Sequence, residues 1–184
     1  MNILNIDTAT EVFGLGLSTS CGESYDMVKN IGLKHAEIGM PAIKSLLDEA
    51  GISLSDLQLI VCAGGPGSFT GLRIGMATAK GLSAGAGVPV VSIPTLDAMA
   101  YGLDWFEGLV LPVIDARKKR IYVAEYRRGV RESDYLDLPI EFLPEIAAKE
   151  QALLLTGTAP ELAQEVFGAS DTNNLKTISI YRRL

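Results

Sequence analysis

The chain has 184 residues, a formal net charge of −6 and a pI near 4.8. This length admits one domain or two small lobes, and 48% hydrophobic against 21% charged residues exclude wholesale disorder. Two cysteines exclude a disulfide-stapled secreted scaffold, one histidine excludes a site built on two imidazoles, and the acidic balance argues against a surface that grips nucleic acid over most of its area.

The opening Met-Asn-Ile-Leu-Asn-Ile-Asp lacks the basic and apolar regions of a signal peptide. No run approaches the ~18 apolar residues of a spanning helix. The expectation is a soluble, cytoplasmic protein without membrane association.

Ile3, Leu4 and Ile6 lead into Asp7, followed by Thr8, Ala9 and Thr10. A second apolar run covers 12–17, Cys21-Gly22 signals a turn, and 23–28 reads as a third strand. Three short strands with tight turns predict a meander. From 35 to 50 the period becomes helical, with Ile43, Leu46, Leu47 and Ala50 on one face and Gly51 as the residue just past the end. The run 57–63 reads as a strand buried on both faces and ends in Gly64-Gly65-Pro66-Gly67. A helix over 70–85, a strand over 88–93 and a helix over 95–101, N-capped by Thr95, come next.

At Leu109 the opening pattern restarts. A strand runs to Ile114, Asp115 stands at its end, and 121–126 returns as the next strand. Ile6-Asp7 followed by Val12-Phe13 has the same plan 108 residues earlier, from Asp7 to Asp115. This reads as a diverged internal duplication. The second half continues with a helix near 144–150, a strand at 153–156, a helix at 160–167, a loop at 171–174 and a last strand at 177–181. Strands interleaved with helices predict an α/β protein, with lobes at 1–103 and 104–184 and their boundary in 103–108.

Four features carry candidate chemistry. The Gly-rich turn 64–71 follows a strand and opens a helix, so its N–H groups can face an anion. It lacks the Lys of a P-loop, and Thr70 stands where a dinucleotide loop needs glycine. A tight turn capped by Ser68 or Thr70 accounts for it equally well. Asp7, Thr8 and Thr10, with Gly65 and Gly67, form a vestigial nucleotide-site candidate: an Asp and hydroxyls at a strand end can hold a metal-bound phosphate, or simply close a turn.

Gly71, Gly75 and Ala79 recur every four residues, with Gly81 and Gly85 repeating the spacing one face over. Such a ridge admits a close helix, either the chain's own at 35–50 or one on another protein. With Met40, Ile43, Ile74 and Met76 it forms a candidate partner interface. Arg117, Lys118, Lys119, Arg120, Arg127, Arg128 and Arg131 face one acid, Glu125, within 117–131, a local charge of +6. Lys118, Lys119 and Arg120 are the candidate contacts to RNA phosphates there; a solvated hairpin is the plainer alternative. His35 precedes a helix and reads as a helix-start residue. No catalytic residue and no metal site is expected.

Three segments carry a resemblance: Asn5-Ile-Asp-Thr-Ala-Thr10, then Gly64-Gly-Pro-Gly-Ser-Phe-Thr-Gly-Leu-Arg-Ile-Gly75 with Ala79-Lys80-Gly81-Leu82, and Ile114-Asp-Ala-Arg117 with Ile121-Tyr122. Together they resemble the TsaB (YeaZ) family of bacterial tRNA threonylcarbamoyladenosine biosynthesis. The resemblance runs from residue 2 to about 127, and more loosely to 180–182.

It implies an actin-like ATPase (ribonuclease H-like) fold of two related lobes, the second one reduced. It also implies a non-catalytic subunit required by TsaD for threonylcarbamoyl transfer to the adenosine beside the anticodon. TsaE and tRNA would be further partners, the isolated chain would form a homodimer, and ATP or ADP would bind only at the joint surface with TsaD. The catalytic paralogue carries an H-x-x-x-H metal motif, whereas the matching stretch here, 92–100, has no histidine. The alternative is an enzyme in its own right, a weak ATPase or a glycopeptidase-like peptidase.

Overall fold

In a computed structural model of the chain, residues 1–32, 34–158, 166 and 175–177 are described. The chain divides into two compact units, with the boundary between Thr95 and Leu96.

The first unit opens with the expected meander. Strand β1 (Ile3–Asp7) pairs antiparallel with β2 (Val12–Ser18), and β2 with β3 (Ser24–Asn30). Helix α1 (His35–Glu49) then leads by a short 3-10 turn to β4 (Leu59–Ala63). Helix α2 (Phe69–Ala86) connects β4 to β5 (Val90–Ile93). Both β1–β4 and β4–β5 are parallel, so the sheet order is β3-β2-β1-β4-β5.

Local chemistry sets the helix ends. Ser68 caps α2, its Oγ accepting the Gly71 N–H at 3.2 Å. Gly87 ends the helix at φ 70°, and Gly51 follows α1 at φ 66°, left-handed conformations that glycine adopts without Cβ strain. The core joins Leu4, Ile6, Phe13, Leu15 and Leu17 of the sheet to Ile43, Leu46 and Leu47 of α1. Each such side chain contributes about 1.5–3 kcal/mol by leaving water.

The second unit begins at Leu96, within α3 (Thr95–Ala100). Leu96, Ala100, Leu103 and Phe106 pack with Val110, Ile114, Tyr126 and Leu154. This packing moves the boundary earlier than the 103/104 division expected from sequence. Thr95 is not a cap either: its buried Oγ1 has no hydrogen-bond partner.

Strand β6 (Leu109–Arg117) pairs antiparallel with β7 (Arg120–Val123), and β7 with β10 (Leu136–Pro139). The expected strand 121–126 is broken: β8 (Tyr126–Arg127) pairs β6 and the short β9 (Val130–Arg131). Helix α4 (Leu143–Ala147) precedes β11 (Leu153–Gly157), which lies parallel to both β6 and β12 (Leu175–Thr177).

The path β10-β7-β6-β11-β12 repeats the first unit's order with the same pairing directions. Helix α4 is the short counterpart of α1. The expected loop at 171–174, most of the helix at 160–167 and the strand residues 178–181 lie outside the described residues.

Candidate functional site

Asp7 ends β1 and closes the turn into β2. Its Oδ1 accepts the Ala9 N–H at 2.8 Å, and Thr10 Oγ1 accepts the Val12 N–H at 3.2 Å. The Gly-rich loop lies directly on this turn. Ser68 N–H donates to the Ala9 carbonyl at 2.6 Å, and Thr8 Oγ1 donates to the Gly71 carbonyl at 2.8 Å. A Cβ at Gly67 would strike the Ala9 carbonyl. Gly65, at φ 98°, accepts the Thr95 N–H at 2.8 Å through its carbonyl.

The structure therefore brings Asp7, Thr8 and Gly67 together, as the nucleotide-site candidate requires. It joins them to each other. The Thr8 hydroxyl, the Ser68 amide and one oxygen of Asp7 all hold the two loops closed. Burial pushes the Asp7 carboxyl above the usual carboxylate range, against the smaller lowering effects of the Ala9 N–H and of His35. His35 is buried beside Phe13, its Nε2 2.8 Å from the Thr10 carbonyl. It locks the same turn, a role beyond that of a helix-start residue. Among the described residues no three His, Cys, Asp or Glu side chains gather to hold a metal ion.

The small-residue ridge of α2 faces inward. Gly71, Gly75 and Ala79 are buried, and a Cβ at Gly71 or Gly75 would collide with Thr8. The groove expected along this ridge is already filled by the chain's own first turn. Ile43 is a core residue at 1% exposure, and Met76 packs on the same core, with Cys62 Sγ 3.8 Å from its sulfur. Gly71, Gly75, Ala79 and Ile43 are corrected from partner surface to interior, while Met76 is half-buried. Met40 is 50% exposed, Ile74 is half-buried, and Gly81 has open space where a Cβ would stand.

Among the described residues four of the seven cations of the basic segment pair with carboxylates, three of them with partners remote in sequence. Arg120 Nε sits 2.7 Å from Asp137, and Arg127 bridges Glu132 at 3.1 Å and Glu150 at 2.5 Å. Arg131 lies 3.7 Å from Asp97 and 4.2 Å above the Tyr135 ring. Arg117 reaches Asp115 at 3.3 Å. Lys118 and Lys119 stand exposed at the β6–β7 turn, with Arg117 in three consecutive left-handed conformations. Arg120 is thus a structural ion pair first, and the two lysines are the accessible charges.

Two arrangements escaped the sequence reading. Asp97 accepts hydrogen bonds from Tyr126 OH and, at 2.8 Å, from Tyr135 OH. This ties α3 to the β8–β9 region. On the first unit, Ala63, Gly64, Phe69, Leu72, Arg73, Met76, Ala77 and Lys80 line an open cleft of about 420 Å³. The Arg73 guanidinium lies 3.8 Å over the Phe69 ring. The i, i+4 spacing of Phe69 and Arg73 was the available signal for it.

A family model described as TsaD, tRNA N6-adenosine threonylcarbamoyltransferase, matches residues 29–167. A Bacillus subtilis protein named tRNA threonylcarbamoyladenosine biosynthesis protein TsaB is 30% identical over 171 residues, covering 90% of this chain and 75% of the relative. The chain belongs to the TsaB (YeaZ) family. The Escherichia coli TsaB is 38% identical over 132 residues, which cover 70% of this chain and 56% of that protein. The solved structure of YeaZ from Pseudomonas aeruginosa matches with a TM-score of 0.75 at 29% identity, over 96% of this chain and 84% of that one. Ethanolamine utilization protein EutJ from Carboxydothermus hydrogenoformans, at 15% identity and a TM-score of 0.56, shares the fold alone. The fold is the actin-like, ribonuclease H-like arrangement of two related units. No helix among the described residues is long and apolar enough to cross a membrane.

Proposed function

We propose that the chain serves tRNA threonylcarbamoyladenosine formation as the non-catalytic partner of TsaD, the subunit that carries the metal and the transfer chemistry. The family membership supports the pathway. One observation carries the division of labour: the turn at Asp7 and the loop at Gly67 use the Thr8 hydroxyl and the Ser68 amide on each other, at 2.8 Å and 2.6 Å. Groups engaged in this way scaffold a fold; they do not wait for a phosphate. The one histidine is likewise engaged at Thr10.

The TsaD contact falls on the free faces of α1 and α2, where Met40, Ile74 and the open position at Gly81 remain accessible. The same faces would pair two copies in a homodimer when TsaD is absent, since the two assemblies use one surface. ATP or ADP would enter only at the joint surface, TsaE would join that assembly, and tRNA would reach Lys118 and Lys119. All of this takes place in the cytoplasm.

The test is co-purification with TsaD, followed by tRNA modification with and without the chain. Dependence of modification on the chain supports the proposal; equal modification without it defeats it. The competing reading, an ATPase or peptidase in its own right, requires turnover of ATP or peptide by the purified chain alone.

A further inference from the structure

Between Lys80 and Arg117 the chain has no basic residue, while Asp97, Asp104, Glu107 and Asp115 all fall in that stretch. Two of these carboxylates are engaged, Asp97 by Tyr126, Tyr135 and Arg131, and Asp115 by Arg117. Asp104 and Glu107 form no ion pair among the described residues. They flank Trp105 on the turn that follows α3, and Tyr101 stands where that turn begins. Leu103 and Phe106, each 6% exposed, anchor the turn in the second unit's core. Backbone hydrogen bonds pin it as well: the Tyr101 N–H donates to the Asp97 carbonyl at 3.0 Å, Leu103 to Ala100 at 3.2 Å and Phe106 to Leu103 at 3.1 Å. The two large rings beside the anchors are left in solvent, Tyr101 at 87% and Trp105 at 60% exposure. The Trp105 indole meets the buried Phe106 ring edge-on, centroids 6.0 Å apart at 84°, which positions it without covering it.

We infer that this turn, residues 101–107, docks a basic segment of a partner protein, whose Lys and Arg side chains lie on the Trp105 and Tyr101 rings and pair with Asp104 and Glu107. Charge complementarity selects the occupant. The face of an indole or phenol ring attracts a cation within about 6 Å, and carboxylates alongside act in the same direction. Exposed Trp and Tyr are also the side chains most enriched where proteins meet. An RNA strand would stack on the same rings, but its phosphates would face the two carboxylates. The accessible lysines of this unit, Lys118 and Lys119, stand at the far end of the nine-residue β6, about 26 Å along it at ~3.3 Å per residue. One cation does border the turn. Arg128 precedes Gly129, where a Cβ would lie 3.3 Å from that of Asp104. Arg128 forms no ion pair among the described residues, and it acts against a basic partner. Because the turn is already pinned, little backbone order is lost on docking. The inference stands on the second unit's own surface and does not depend on a role beside TsaD.

The experiment uses the full chain, whose one tryptophan is Trp105, so that indole emission reports this turn alone. The probe is a tryptophan-free peptide of alternating Lys, Arg and Gly. The expected result is a saturable change in emission whose affinity falls about tenfold or more in Asp104→Lys/Glu107→Lys. That double variant should respond instead to the peptide with Glu in place of Lys and Arg, which also shows that it is folded. Arg128→Gln should tighten binding of the basic peptide about two- to threefold by removing a like charge. No saturable change, a change indifferent to the charge reversal, or weaker binding in Arg128→Gln overturns the inference. An emission change with oligouridine that Arg128→Gln weakens, without peptide binding, would give the turn to RNA and overturn it equally. So would a self-association of the chain that Trp105→Ala abolishes, which would give the turn to a second copy.

Discussion

Asp7 and Asp115 make the same hydrogen bond at the same place in the two units. Asp7 Oδ1 accepts the Ala9 N–H at 2.8 Å, and Asp115 Oδ1 accepts the Arg117 N–H at 2.7 Å. Each carboxylate bonds the backbone two residues on and so turns its strand back into an antiparallel partner. The two sheets share their strand order and directions, so the units repeat one plan. What differs is the neighbourhood: the Asp7 turn is roofed by the Gly-rich loop, and Asp115 also holds the Arg117 side chain.

The buried Asp7 carboxyl gives a pH signature. Its folded pKa is raised, so ionisation is less favourable in the folded state than in the unfolded one. Its contribution to stability is therefore lost as pH rises from the unfolded pKa through the folded one. Asp7→Asn keeps an oxygen for the Ala9 N–H and has no charge to bury. The variant should melt higher than the wild type at pH 7, and its advantage should shrink as the pH falls through the carboxylate range. Thermal melts across pH 3–8 check this; an advantage independent of pH would refute it.

The inward ridge separates two glycines that look alike in sequence. Gly75→Ala drives a methyl into Thr8, and Gly81→Ala places one in open space. The first should destabilise by about 1–3 kcal/mol through overpacking. The second should stabilise by up to about 1 kcal/mol through helix propensity. Urea unfolding of the two variants measures both. Stability losses of equal size would contradict the packing described.

Asp97 should matter more to stability than its half-exposed position suggests. Removing it in Asp97→Ala leaves the buried Tyr126 hydroxyl without its acceptor and frees Tyr135. A loss of about 1–3 kcal/mol is expected. Burial and the Asp97 carboxylate together push the Tyr126 phenol well above the usual tyrosine range. Ultraviolet titration through pH 11 should therefore find that Tyr126→Phe ionises as many phenols as the wild type.

Lys118 and Lys119 offer a charge test that conformation need not confound. Both hold left-handed backbone, where glycine is strain-free. Lys118→Gly/Lys119→Gly should therefore leave the isolated chain at least as stable. In the assembled complex with TsaD it should weaken tRNA binding and flatten its salt dependence. Arg120→Glu, by contrast, places a carboxylate against Asp137 and should lower the melting temperature of the chain on its own. Filter binding over a salt series distinguishes the two; an unchanged slope would reduce the turn to a solvated hairpin.

The sequence by itself determined whatever depends on near neighbours. The apolar period of 43–50 sufficed for α1, the stretch 70–85 for most of α2 with its cap left between Ser68 and Thr70, and the repeated strand-Asp-turn pattern for the two related units. Local hydrogen bonds and side-chain spacing act within a few residues, so they are written into the order of the chain. Tertiary structure alone decided which way each pattern faces. The four-residue spacing of Gly71, Gly75 and Ala79 defines a stripe, but only the Asp7–Thr10 turn, more than sixty residues earlier, makes it a buried seam. The run 117–131 carries +6 in sequence, yet Asp97, Asp137 and Glu150, brought in by folding, pair most of its arginines. The unit boundary moved for the same reason: Leu96 follows the core that buries it, and burial is a property of what the fold places beside a residue.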